Sequence, residues 1–262
     1  MEISLTNSHN QTVTLTGQED KYQVISVTGL DPGKAVINST TIVGVDGTRF
    51  NSARLNNRNI VINLKISSNE DENRQELYRK FPLKEEVVVA VTTGIAAEIR
   101  GRIDGLNCGL FDKSQIMQIS IICDDPYFYG TSWVGNYSMS SEREKTVQAT
   151  NNGEAGTGFS LRIGYDGEYL GGTNFAISSS NGQMSFKFPT GAESGVILID
   201  TENETFTITE DGTDPVDAVP LLELGSVFPK LPAGNSDLAF NTDVLFSAYQ
   251  ITITVPTRLG GL

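Results

Sequence analysis

Between Ile60 and Ile66 every second residue is a large aliphatic: Ile60, Ile62, Leu64 and Ile66, with Val61, Asn63 and Lys65 between them. A period of two puts those four side chains on one side of a pleated strand, whereas a helix repeats every 3.6 residues. The signature returns at Phe206 and Ile208 among Thr205, Thr207 and Thr209, and at Ile251, Ile253 and Val255 among Thr252 and Thr254. Shorter runs at 12–16, 22–28, 86–92, 95–103, 116–123, 159–163, 184–188 and 195–199 read as further strands, separated by clusters of Gly, Asn, Asp and Pro. Such a chain buries one face of each strand against another layer, so the fold reads as mainly β.

One segment departs from this pattern. Glu70–Lys80 opens with Glu70, Asp71 and Glu72 and closes with Arg79, Lys80 and then Pro82. Acids at the positive end, bases at the negative end and a terminating proline predict a helix, with Asn69 as its cap and Glu72 completing a capping-box-like pair. Leu77 and Phe81, four apart, would pack on a sheet. Segments 98–107 and 115–123 read as a long hairpin around Gly109–Ser114. That places Cys108 and Cys123, the only two cysteines, on different rungs and predicts two buried reduced thiols.

The 262 residues suit one large or two ordinary domains. The clearest boundary is DDPYFYGTSW, where Pro126, Tyr127, Phe128 and Trp133 form a candidate junction cluster. It divides the chain into domains 1–130 and 131–262. The first carries 13 basic and 16 acidic residues and the second 6 and 16, for net charges of -3 and -10. An acidic surface repels phosphate backbones, so sequence-reading of nucleic acid is excluded. MEISLTNS lacks the regions of a secretory signal. Apolar runs such as Val87–Val91 fall far short of the roughly 20 residues a membrane helix needs. The expectation is a chain folded in a reducing cytoplasm without membrane insertion.

Chemistry-bearing constellations are lacking. His9, the one histidine, sits in a polar SHNQ stretch away from any Ser–His–Asp or Cys–His arrangement. The acids of EDGTDPVD have turn composition and no calcium-loop spacing. NNGEAGTGF neither follows a clear strand nor opens a helix, as a phosphate loop must. No catalytic, cofactor-binding or metal residues are therefore expected, and the chain reads as a non-enzyme. What stands out is GTRFNSARLNNRN, a polar loop carrying Arg49, Arg54 and Arg58 just before a core strand in an acidic protein. Arginine forks suit carboxylates at protein interfaces. An alternative reading is a carbohydrate-binding, lectin-like host-recognition protein. It would use Trp133, Tyr165 and Tyr169 as a stacking platform, and Asp166 would accept sugar hydroxyls.

The segment GLDPGKAVINSTTIVGVDGTRFNSARLNNRNIVINLKI, followed by ENRQELYRKFPLK, resembles the N-terminal domain of siphophage distal tail proteins. The resemblance is carried by Asp46–Gly47 with Phe50 and Ser52, by Arg58–Asn59–Ile60 entering a strand, and by Phe81–Pro82 closing a helix. IRGRIDGLNCGLFDKSQIMQISIICDDPYF, VQATNNGEAGTGFSLRI and FPKLPAGNSDLAF extend it over most of the chain. It implies a β-sandwich with one helix and a long hairpin (an α+β, tail-tube-like, ring-forming domain), followed by a second β-sandwich of jelly-roll or galectin-like type. It further implies a structural protein of the virion tail and baseplate, assembled in the host cytoplasm. Six copies would form a hexameric ring joining the major tail tube protein to the tail hub, or tail-associated lysin. DNA would pass through without sequence recognition, and the outward domains would hold receptor-binding proteins or face solvent. In that setting Arg49, Arg54 and Arg58 become inter-subunit or ring-contact candidates.

Overall fold

The structure, a computed structural model, describes residues 2–18, 21–109, 115–139, 142–167, 172–188, 194–210, 213–244 and 248–262. Residues 110–114 of the expected hairpin turn, Asp211 and Tyr169 lie outside them. The chain forms two compact units, Met1–Gly130 with Leu259–Leu262, and Thr131–Arg258.

The first unit contains β1 (Glu2–Asn7), β2 (Thr12–Thr16), β3 (Tyr22–Thr28), β4 (Ala35–Thr41), β5 (Thr48–Leu55), β6 (Arg58–Ile66), α1 (Glu70–Lys80), β7 (Glu86–Thr92), β8 (Ala96–Cys108), β9 (Ile116–Cys123) and the start of β10 (Phe128–Met139). Among the described residues seven of these strands pair in the order β8-β7-β1-β2-β3-β6-β9, and β9 pairs back onto β8. The sheet closes on itself as a barrel, which corrects the expectation of a sandwich for this unit. Closure depends on β8, which pairs with β7 from Ala96 to Arg102 and then with β9 from Arg102 to Cys108, with a register shift between Ile103 and Gly105. A bulge of this kind bends a strand and increases its twist. Gly101 allows a close approach just before this shift: a side-chain carbon there would lie 2.7 Å from both Cys123 Sγ and Ile121. The alternating aliphatics fill the interior, with Ile60, Ile62, Leu64 and Ile66 fully buried beside Leu5, Leu15, Val89 and Ile119.

The helix spans the expected residues and buries Leu77 and Phe81 in the same core. Its cap differs from the reading. Asn69 is left-handed (φ 39°) and its side chain makes no capping bond. The buried Asn73 instead donates to Ser67 O and Ser68 O. Glu76 accepts from Lys21 of the barrel and Lys80 of the helix, and the Tyr22 hydroxyl donates to Asn73 O and to Glu76. Hydrogen bonds from Lys21 and Lys80 pull the Glu76 carboxyl down to about 2, while burial pushes the Tyr22 phenol up. A carboxyl with a folded pKa below its unfolded value contributes stability that is complete above the unfolded pKa and is lost as pH falls through the folded one. Glu76→Gln is thus expected to cost about 1–2 kcal/mol at pH 7, discounted for partial exposure. In urea titrations the gap between the two proteins should close as pH falls from 4.5 toward 2; a gap independent of pH would show that the lysine contacts do not matter.

Cys108 and Cys123 are both free thiols, and in register Cys108 faces Met117 while Cys123 faces Arg58. Cys123 is buried, and burial raises its pKa to about 11; Cys108 is only partly buried, short of the expectation.

The second unit continues β10 and adds β11 (Glu144–Asn151), β12 (Ser160–Asp166), β13 (Asn174–Ser179), β14 (Gly182–Lys187), β15 (Ser194–Asp200), β16 (Thr205–Glu210), β17 (Val216–Asp217), β18 (Gly234–Thr242) and β19 (Ala248–Leu259). Its strands pair as β17-β16-β15-β12-β19-β10 and as β11-β18-β13-β14. Inward residues of both sheets make one core. Phe186 of β14 meets Phe206 of β16 at 4.7 Å between ring centres, and Phe175 of β13 meets Tyr249 of β19 at 6.1 Å. Among the described residues no helix is long and apolar enough to cross a membrane.

Candidate interaction surface

The segment read as a polar arginine loop is the second strand of a hairpin. Strands β4 and β5 pair with each other and, among the described residues, with nothing else. Nearly all their residues are exposed. A two-stranded hairpin is marginal in water by itself, so its construction is informative. The register pairs Val36 with Arg54, Asn38 with Ser52 and Thr40 with Arg49, and the extra residue Asn51 forms a bulge. Directly paired residues share a face, and Val36, Asn38 and Thr40 are two apart. Arg49 and Arg54 therefore lie on the same face, beside Asn38 and Ser52, whose side chains hydrogen-bond at 3.1 Å. The opposite face carries Ile37, paired with Ala53, and Phe50, paired with Ser39. Ile37 is 65% exposed and Phe50 63%, and the tip adds Ile42, Val43 and Val45. The arm is thus cationic on one side and apolar on the other. Neither Arg49 nor Arg54 makes an ion pair among the described residues.

Arg58 is different. It opens β6 and is 6% exposed. Its Nε donates to Pro126 O at 2.7 Å, its Nη1 to Gly29 O and Asp31 O at 2.6 Å each, and its Nη2 to Gly260 O at 2.5 Å. The guanidinium lies 4.7 Å over the Phe128 ring. Burial lowers its pKa, with Cys123 and Asp31 acting the other way, but an arginine so placed stays charged. Four of its five N–H donors are committed to its own chain. Arg58, expected among the ring-contact candidates, is therefore held inside its own chain, and of the three arginines only Arg49 and Arg54 stand exposed.

The junction residues have separate duties. Pro126 supplies a carbonyl to Arg58, and Asp125 accepts from Tyr127 N and from the Tyr129 hydroxyl. Phe128 is buried in the first unit's core, whereas Trp133 packs on the second unit's core, flanking Gly135 together with Tyr137. Of the expected sugar platform, Tyr169 lies outside the described residues and Tyr165 is buried. Tyr165 is 2% exposed and meets Phe188 edge-on at 4.8 Å, so its face is closed to a ligand. Asp166 is exposed at the end of β12. Among the described residues no group of His, Cys, Asp and Glu could hold a metal ion.

The solvent face of β16-β15-β12-β19 is also shaped. Ser160, Leu161, Arg162, Leu198, Ile199, Asp200, Thr205, Thr207, Thr252 and Thr254 line an open groove of about 470 Å³. Sequence reading missed both this groove and the arm's apolar face. The alternating threonines of β16 and β19 were visible, but only as the solvent side of strands.

No family model and no curated protein sequence matches the chain. Solved structures do. The chain is similar to SPP1 Dit (gp 19.1), described as a paradigm of the hub adsorption apparatus in phages infecting Gram-positive hosts, with a TM-score of 0.74, 16% identity, and coverage of 97% of this chain and 98% of that one. It is also similar to a chain of the phage P2 baseplate in its activated conformation with Ca, with a TM-score of 0.55, 13% identity, and coverage of 100% and 99%. For the same baseplate with Sr the values are 0.51, 13%, 96% and 97%. Both units therefore share a fold with these baseplate and hub proteins along almost their whole length.

Proposed function

We propose that this chain is a structural distal tail protein, a non-enzymatic adaptor in the virion tail of a siphophage. Copies of it, six in our reading, close into a ring that joins the major tail tube protein to the tail hub and leaves a channel for DNA. The first unit forms the ring. The second is a jelly-roll or galectin-like sandwich turned outward, holding receptor-binding proteins or facing solvent. Assembly takes place in the host cytoplasm. The whole-length likeness to SPP1 Dit motivates this reading, and the observation that carries it is the β4–β5 arm.

An arm that is exposed on both faces and apolar on one is an unfinished interface. Closed rings need two different complementary patches on every subunit. The arm supplies one patch, with Ile37 and Phe50 for an apolar contact and Arg49 and Arg54 for carboxylates, in a chain whose net charge is -13. That charge also suits a channel to which DNA does not adhere, because an acidic lining offers no counterion-release gain.

The test is electron microscopy of the purified chain, alone and with tube and hub proteins. Closed annular particles with a central hole are expected. Arg54→Glu should leave the monomer folded and weaken subunit association about tenfold, as for a charge near the rim of an interface. If no annular particle forms with either partner present, the reading fails.

A further inference from the structure

We propose that the groove on the outer face of β16-β15-β12-β19 is a binding site for a polyhydroxylated anion, a chain of sugar or polyol units carrying phosphate or carboxylate. The strand register builds it in two rows. Thr205, Asp200, Ser160 and Thr254 lie side by side across the four strands, and Thr207, Leu198, Arg162 and Thr252 lie beside them. Five hydroxyls, from Ser160, Thr205, Thr207, Thr252 and Thr254, thus line the same groove as one guanidinium. Each hydroxyl both donates and accepts, which matches the hydroxyls of a polyol.

Arg162 makes the groove selective. Lys145, Lys230 and Arg258 of this unit are each ion-paired, but Arg162 makes no ion pair among the described residues. Asp200, the one acid in the groove, has its oxygens occupied by Glu202 N, Asn203 N and Asn203 Nδ2 at 2.8–3.0 Å. It acts as a turn residue and not as the partner of Arg162. The guanidinium rests beside Gly164, where an added side-chain carbon would lie 3.6 Å from Nη1. The missing side chain leaves the fork open to a bidentate oxyanion. Thr252 donates to Asn136 at 2.9 Å, which turns its lone pairs outward as acceptors. Leu198, 44% exposed at the centre, gives a small apolar patch for the C–H face of a sugar or polyol unit. About 470 Å³ accommodates a few such units. A protein partner would need roughly 800 Å² from each side.

The proposal does not depend on ring formation and stands or falls separately from it. The test uses the full chain and three fluorescently labelled probes in a polarisation titration: a glycerol-phosphate oligomer, a galacturonate oligomer and a neutral dextran oligomer. At least one anionic oligomer is expected to bind saturably, more weakly as salt rises, with dextran at least tenfold weaker. Phosphate-only or carboxylate-only binding would assign the acid group. Arg162→Gln should lose at least tenfold and Thr252→Val less, while Lys187→Gln on the other sheet should bind as the native chain does. Circular dichroism checks that the variants fold, as substitutions at an exposed position should. Three results would each overturn the proposal: no saturable binding up to roughly millimolar, dextran binding equal to the anions, or unchanged binding by Arg162→Gln.

Discussion

Arg58→Ala should destabilise the first unit by about 3–5 kcal/mol, the range for removing one partner from a buried charged network. The substitution strips hydrogen-bond donors from the carbonyls of Gly29, Asp31, Pro126 and Gly260 at once, and removes the cation stacked on Phe128. The carbonyls sit in a partly buried setting around a buried side chain, so water replaces only some of the four bonds that are lost. Arg58→Lys separates charge from geometry. A lysine keeps the charge but offers three donors from one point, so it cannot reach four carbonyls arranged around a planar fork. It should recover less than half of the loss. Urea denaturation followed by far-UV circular dichroism reads the effect. The single tryptophan, Trp133, lies in the other unit, so its fluorescence serves as an internal control. A loss below about 1 kcal/mol for Arg58→Ala would place this residue with ordinary surface ion pairs.

The arm should respond in the opposite way. The double variant Ile37→Asp with Phe50→Asp is expected to leave monomer unfolding within about 0.5 kcal/mol of the native chain, because both side chains already face solvent. The same change should weaken the proposed ring assembly by two or more orders of magnitude, since it puts two charges into the apolar half of the proposed contact. Mass photometry across a concentration series measures this directly. If the variant unfolds the monomer, the arm belongs to the core; if it assembles normally, the apolar face has another use. The larger loss expected here than for Arg54→Glu follows from a buried apolar centre contributing more than a charge near a rim.

These two residue sets also mark where the sequence was readable. Ile60 to Ile66 announced β6 because one face of that strand is fully buried and the other is not. Strand β5 buries neither face, and its bulge at Asn51 breaks the period of two, so TRFNSARL looked like a loop. Alternation alone does not distinguish a sandwich from a barrel, because both bury every second residue. The choice lies in Gly101 and in the shifted register after Ile103, where β8 passes from one neighbour to another. The helix was legible from its charged ends and Pro82, while its cap was not, because Asn69 is left-handed and makes no capping bond, and the local side-chain anchor is Asn73, which donates backward to the carbonyls of Ser67 and Ser68. Arg58 was misassigned because arginines usually face solvent. Its acceptors come from residues as far away as Gly260, and no local window contains them. Tyr165 similarly looked like a platform in an open loop, and only the tertiary position of Phe188 closes it.

The return of residues 259–262 to the first unit bears on synthesis at the ribosome. Gly260 cannot meet the waiting guanidinium until everything from 131 to 258 has been translated. The inserted module thus has the earlier opportunity to reach its native state, and the first unit is latched last. Exchanging that cassette for another of similar span between its ends would leave the latch itself intact.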